Sequence, residues 1–176
     1  MYWPKLLVPE ENTINPGAGK SYSVGVLLPP GVDLTLLKED AKRAATAKFG
    51  SAIPSNLKLP FLAAEEKKGL EDFKGWTLIR AATKESRGRP SCADASGKAI
   101  EATPEEAYSG RWACVSLKAW AYDKAGNRGI RFGLQSIQLL DHDEPIAGSR
   151  VNAEDEFAPI EGADGSAANN ANDIFA

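Results

Sequence analysis

The most regular pattern in this chain is an alternation of small apolar and larger polar or aromatic residues from Arg111 to Tyr122 (RWACVSLKAWAY). A period of two is the signature of a β-strand with different surroundings on its two faces. Ala113, Val115, Leu117, Ala119 and Ala121 take one face and suit a barrel interior. Asp123-Lys124-Ala125-Gly126-Asn127 then turns the chain into a second long strand, Gly129 to Leu140. Earlier strands are expected at Tyr2 to Val8, closed by Pro9, at Ser21 to Leu28, stopped by Pro29-Pro30-Gly31, and at Trp76 to Thr83. Leu34, Leu37, Ala41, Ala44 and Ala45 recur instead at helical spacing. They predict one helix from an Asp33 N-cap to about Phe49, stopped by Gly50. Asn12 to Lys20 is turn-rich, and residues 51–75, broken by Pro54, Pro60, Gly69 and Gly75, read as an irregular excursion with Glu65 to Lys68 at its exposed tip. Asp94 to Gly97 reads as a turn and Pro104 to Ala107 as a single helical turn. The whole is mainly β: a small antiparallel β-barrel with one main α-helix and no visible internal repeat.

Length and charge divide the chain in two. Its 176 residues suit one domain with a single core. Residues 1–140 carry 20 of the 21 Lys and Arg against 15 of the 24 Asp and Glu, whereas residues 141–176 set Arg150 alone against nine acids. The second part is rich in Ala, Gly and Asn, its large apolar residues are scattered, and it is expected to be mostly disordered. Residues 1–140 are therefore read as a folded domain and 141–176 as an acidic C-terminal tail, which ends on Asp173-Ile174-Phe175-Ala176. A basic body with an acidic tail points toward a nucleic-acid partner. No stretch approaches the ~20 apolar residues of a membrane-spanning helix, and the start lacks a secretory signal, so no membrane role and a cytoplasmic location are expected.

The outer face of the long strand carries Trp112, Cys114, Ser116, Lys118, Trp120 and Tyr122. Large aromatics interleaved with a lysine on a face turned away from the core form a stacking surface flanked by positive charge. Trp76 and Arg80 share one face of their own strand, Arg87 and Arg89 lie in the loop beyond it, and Lys124, Arg128 and Arg131 sit at or just after the hairpin turn. One or two of the four tryptophans are expected in the core. Other chemistry finds little support. Gly17-Ala18-Gly19-Lys20-Ser21 ends like a phosphate loop, but Ile14 stands where its first glycine belongs and a strand follows. Two cysteines and the single His142 build no disulfide framework, zinc site or histidine cage. Asp141-His142-Asp143-Glu144 reads as a charged edge rather than a metal site, and Glu65-Glu66 and Glu105-Glu106 lie in loops with nothing to raise a pKa. Cys114 reads as a packing residue. No catalytic residue, metal or cofactor is assigned, and the chain is read as a non-enzyme.

The order of several stretches resembles the phage and prophage single-stranded DNA-binding proteins of the OB-fold type. The stretches are Trp3-Pro4-Lys5-Leu6 with Pro9, Lys20 to Val24 into Leu27-Leu28-Pro29, Ile53 to Pro60, Tyr108 to Ala113, Tyr122-Asp123 with Gly126 to Ile130, Gly133 to Gln138, Asp143-Glu144-Pro145 and Ala153 to Phe157. The resemblance implies an OB-fold that holds single-stranded DNA without sequence preference in an aromatic and basic groove. It also implies an acidic tail that competes for the groove and recruits phage replication proteins (polymerase, helicase–primase, recombination proteins), here through Asp173, Ile174 and Phe175. Exposed β edges leave room for a homodimer. Two other readings stay open: a phage structural or accessory β-domain with no nucleic-acid role, and an OB-type module for RNA or oligosaccharide.

Overall fold

The computed structural model describes residues 1–11, 17, 19–124 and 126–146. Along it run β1 (Tyr2–Glu11), β2 (Lys20–Leu28), α1 (Thr35–Phe49), β3 (Phe61–Ala63), β4 (Thr77–Lys84), β5 (Ser91–Ala93), β6 (Ala99–Ile100), β7 (Ala113–Lys124) and β8 (Asn127–Leu139). All eight strands join one curled, open sheet, ordered β1-β2-β4-β8-β5-β6, with β3 added on β4 and β7 on β8. The expected class is what is found, mainly β with one helix, the sheet forming a half-barrel rather than a closed one.

The thirteen-residue β8 organises the sheet. Along one edge it pairs antiparallel with β7, and along the other it meets β4 and then β5, both parallel. Gln135 is an extra residue: Ser116 faces Ser136 while Leu117 faces Leu134. The bulge shifts the parity of β8, so that Ile130, Phe132 and Leu134 before it and Ile137 and Leu139 after it are all buried. They join Leu6, Val24, Val26, Ile79, Ala81 and Ala119 in the main core, against which α1 lays Ala41 and Ala45. The Asp33 carboxylate accepts the Thr35 N–H at 2.8 Å just ahead of the helix, whose cap position is Leu34 rather than the expected Asp33, and Gly50, at φ 68°, ends it. Asp40 accepts the Ala119 N–H at 2.7 Å, covering the edge of β7 away from β8.

Two expectations are corrected. β1 does not stop at Pro9 but continues to Glu11; as an edge strand it tolerates prolines where its register slips, and the slips fall between Tyr2 and Lys5 and between Lys5 and Glu10. Glu65 to Lys68 is not a free tip, because Ala64 and Leu70 are buried with Leu27 and Leu78 in a second cluster completed by Tyr2, Phe73, Trp76 and Ile146. Beyond residue 140, the described residues 141–146 stay in contact with the body. The Trp112 N–H reaches the Asp141 carbonyl at 3.1 Å, the Ile146 N–H reaches that of Ser109 at 2.9 Å, and Gly110 leaves room for the Glu144 carbonyl where a Cβ would collide with it. The expected disorder from 147 to 176 lies outside the described residues.

Candidate nucleic-acid interface

The face of the sheet opposite the main core is built from alternate residues of five strands. On the β7–β8 pair, Lys118 stands opposite Gly133, Trp120 opposite Arg131 and Tyr122 opposite Gly129. Gly129 has no side chain, so the Tyr122 ring lies over it; a Cβ there would come within 2.5 Å of the phenol oxygen. Trp120 stays 48% exposed, its ring 5.9 Å from that of Tyr122 and tilted by 56°. The Arg131 guanidinium lies over the other ring at 5.2 Å from the Tyr122 centroid, an arrangement that holds cation and aromatic in place together.

Register carries this patch across the sheet. Ala81 and Ala82 of β4 lie beside Phe132 and Gly133 of β8, so Arg80 comes beside Arg131 on the outer face. Gly25 and Ser23 of β2 stand opposite Arg80 and Ala82, and Tyr2 and Lys5 of β1 stand opposite Gly25 and Ser23. The middle of the face is thus floored by Ser23, Ala82 and Gly133, which project little, between taller groups on β1 and on β7–β8. Arg80, Lys118 and Arg131 are exposed, and none has a carboxylate within salt-bridge distance among the described residues. Like charges on neighbouring strands repel each other, so this face is arranged to gain from an anion.

The remaining residues singled out from sequence divide into groups. Lys124 is exposed at the hairpin end near Tyr122, and Arg128 beside it is paired with Asp123 at 2.8 Å. Arg87 is exposed in a short 3-10 turn after β4. Arg89 is a brace, its guanidinium donating to the Leu6 carbonyl at 3.0 Å and the Ala102 carbonyl at 2.9 Å. Trp76 packs edge-on against Phe73 at 5.2 Å in the second cluster and so is one of the tryptophans with a core role. Trp112 is eight residues from Trp120 along β7, about 26 Å at strand rise, and its indole N–H donates to Asp143 at 2.7 Å. The aromatic row is therefore not continuous: Trp120 and Tyr122 form one patch and Trp112 belongs to another. In that second patch Tyr108 stacks on His142, and the buried Arg111 donates to the Leu140 carbonyl at 2.6 Å and contacts the His142 ring. These contacts account for Asp141 to Glu144 as a docked segment, and no metal-ligating group of three occurs among the described residues. Asp173, Ile174 and Phe175 lie outside the described residues.

Two lysines join the face unannounced by the sequence reading. Lys84 has the same parity as Arg80 on β4, a signal that was legible. Lys58 lies beside Gly129 through a parallel bridge, its N–H donating to the Arg128 carbonyl at 3.1 Å and its carbonyl accepting from Ile130 at 2.9 Å. The alternation Leu57-Lys58-Leu59 was its only hint.

Comparison with known proteins bears on the fold and the family. The chain resembles the solved structure of the single-stranded DNA-binding protein from bacteriophage Enc34 in complex with ssDNA, with a TM-score of 0.67 at 21% identity over 81% of this chain and 82% of that one. The same Enc34 protein solved alone gives 0.64 at 18% identity over 88% and 83%. Gp2.5, a single-stranded DNA-binding protein encoded by bacteriophage T7, gives 0.57 at 14% identity over 92% and 91%. At these identities the likeness is one of fold. No curated protein sequence matches the chain. A family model described as the ssDNA-binding protein of Enterobacter phage Enc34 does match, over residues 1–170. The chain belongs to the Enc34 ssDNA-binding protein family.

Proposed function

We propose that the outer sheet face binds single-stranded DNA without sequence preference, by stacking bases on Trp120 and Tyr122 and neutralising phosphates with Arg80, Lys118 and Arg131. The observation that carries this reading is the group of exposed cations, unpaired among the described residues, around two aromatic rings on a glycine-containing sheet. Cations placed this way gain by replacing the counterions of a phosphate backbone, and rings accept any base because every base has a π-face. Family membership and the fold shared with a protein solved in complex with ssDNA support the same reading. Lys58, Lys84, Lys124 and Arg87 extend the positive rim, with Arg128 beside them paired to Asp123. No chemical step is assigned to the chain, which acts by holding the strand in the host cytoplasm.

The acidic tail completes the proposal. Ile146 hydrogen-bonds to Ser109, whose hydroxyl also accepts the Trp3 N–H, so the chain leaves the described body beside the β1 end of the face. The thirty residues that follow are long enough to reach any part of a body about 15 Å in radius. Held at high effective concentration, their carboxylates compete with DNA phosphates and become available to phage replication proteins once DNA displaces them. Asp173, Ile174 and Phe175 are the contact assigned to those partners, and a second copy of the chain pairs at a free strand edge. Titration of the full chain with oligo-dT at two salt concentrations tests the reading. Salt-sensitive quenching of tryptophan fluorescence is expected; salt-insensitive binding of a sugar, or a preference for RNA in competition, would overturn it.

A further inference from the structure

Trp3 has the most irregular backbone outside glycine: its φ is 44°, the sole positive value at a non-glycine residue among the described ones. A bulky side chain in the left-handed region is strained and persists only where its surroundings impose it. The register explains how. Between Tyr2, opposite Gly25, and Lys5, opposite Ser23, β1 spends one residue more than β2. Tyr2 and Lys5 both face the outer side, and the extra residue turns Trp3 to that side as well. Its ring lies 6.3 Å from that of Tyr2, and the Lys5 ammonium, paired with Glu10 at 2.7 Å, sits 5.5 Å from its centroid. The Ser109 hydroxyl accepts the Trp3 N–H at 2.8 Å and pins the kink. The result is a tryptophan 57% exposed, the most exposed of the aromatics on this face, paired with a cation at the margin opposite Trp120. Packing alone does not account for it there, because more than half of its surface stays exposed.

We infer that Trp3, with Lys5, is a second base-stacking platform, and that a bound single strand crosses the sheet from Trp120 and Tyr122 over the low floor of Ser23, Ala82 and Gly133 to the β1 margin. This rests on the proposed DNA-binding reading and adds its path. Four inter-strand steps separate β1 from β7, about 19 Å across, which a stacked strand at ~3.4 Å per nucleotide covers with about six nucleotides.

The test compares the full chain with Trp3→Asn, whose side chain tolerates the left-handed backbone, Trp3→Phe, which keeps a ring, and Trp120→Ala, all titrated with dT12. Trp3→Asn is expected to bind roughly 5- to 150-fold more weakly, the range for losing one stacked base, with Trp3→Phe restoring most of the loss. If the wild-type chain fails to bind dT12, the DNA-binding reading itself falls. If it binds, Trp120→Ala weakens it and Trp3→Asn does not, the reading stands and the second platform is overturned. A measurement on unaltered protein guards against a folding defect in the variants: dT12 carrying 5-iodouracil at successive positions is irradiated in complex and the crosslinked residues are mapped. Crosslinks at both Trp120 and Trp3, separated by several nucleotides, support the path. Crosslinks confined to β7 and β8 overturn it.

Discussion

The Tyr122 ring occupies the space that a side chain at position 129 would fill, with its Cζ 2.7 Å from where the Cβ would stand. Because the atoms in the way belong to a side chain, Gly129→Ala is expected to displace the ring rather than the backbone. The stability cost is then about 1 kcal/mol, at the low end for overpacking. Displacing the ring also breaks its stack with Arg131, so oligo-dT affinity should fall about fivefold or more. In a Tyr122→Ala background the same Gly129→Ala change should cost almost nothing further, and a double-mutant cycle read by fluorescence titration checks this. Additive losses would show that Gly129 matters for some reason other than the ring.

If about four phosphates are neutralised, log K should fall against log salt with a slope of roughly −0.7 × 4, or about −3. A fourfold rise in salt then weakens binding about fiftyfold. Arg131→Ala and Arg80→Ala should each flatten the slope by about 0.7, whereas Arg128→Ala, whose partner Asp123 already neutralises it, should change the slope less. Titrations across a salt series measure all four slopes directly. A slope near zero for the wild-type chain would remove the phosphate contribution altogether.

Where the docked segment ends decides how the tail should be cut. Removing 147–176 spares the Ser109–Ile146 and Trp112–Asp143 hydrogen bonds and takes away only the acidic remainder. That truncation is expected to tighten dT12 binding at low salt and to matter less as salt screens the carboxylates. Cutting at 141 should instead destabilise the body, because Arg111 loses the His142 ring and Trp112 loses the Asp141 carbonyl and the Asp143 carboxylate, and thermal melts of the two truncations separate these effects. Unchanged affinity in the shorter cut would refute competition by the tail.

Much of this arrangement was legible because it depends on parity. The alternation in β7 placed Lys118, Trp120 and Tyr122 on one face, and Asp33 and the Gly50 stop bracketed α1 to within two residues. What was not legible depends on tertiary contacts. Arg89 reads as a surface cation, yet it is tied to Leu6 and Ala102, far away in sequence. Leu70, Phe73 and Trp76 are spaced three apart among lysines and turn residues, a pattern belonging neither to a strand nor to a long helix, and so the second cluster passed unseen. Asp141 to Glu144 is polar and held chiefly by hydrogen bonds, and the single apolar Ile146 beyond it is too little to mark this contact in the sequence. The kink that turns Trp3 outward comes from a register slip between two strands, a property of the pair that neither strand's sequence displays.

Asp40 links stability to pH. Its carboxylate accepts the Ala119 N–H and contacts Arg43, and these bonds hold its pKa below the ordinary 3.8. The unfolded chain therefore takes up this proton more readily than the folded one. The stabilisation is fully present above about pH 4 and is lost as pH falls through the depressed folded value. Asp40→Asn keeps an acceptor for Ala119 but no charge, so it should be less stable than wild type at pH 7 by about 1–2 kcal/mol. The gap should close as the wild-type carboxylate is protonated. Melting temperatures of both proteins from pH 7 down to about pH 2 measure this difference, and Asp40→Ala, with no acceptor at all, should stay below both throughout. A gap that holds constant down the acid limb would mean that it comes from the amide's poorer hydrogen bonding at this site, with the Asp40 charge contributing nothing.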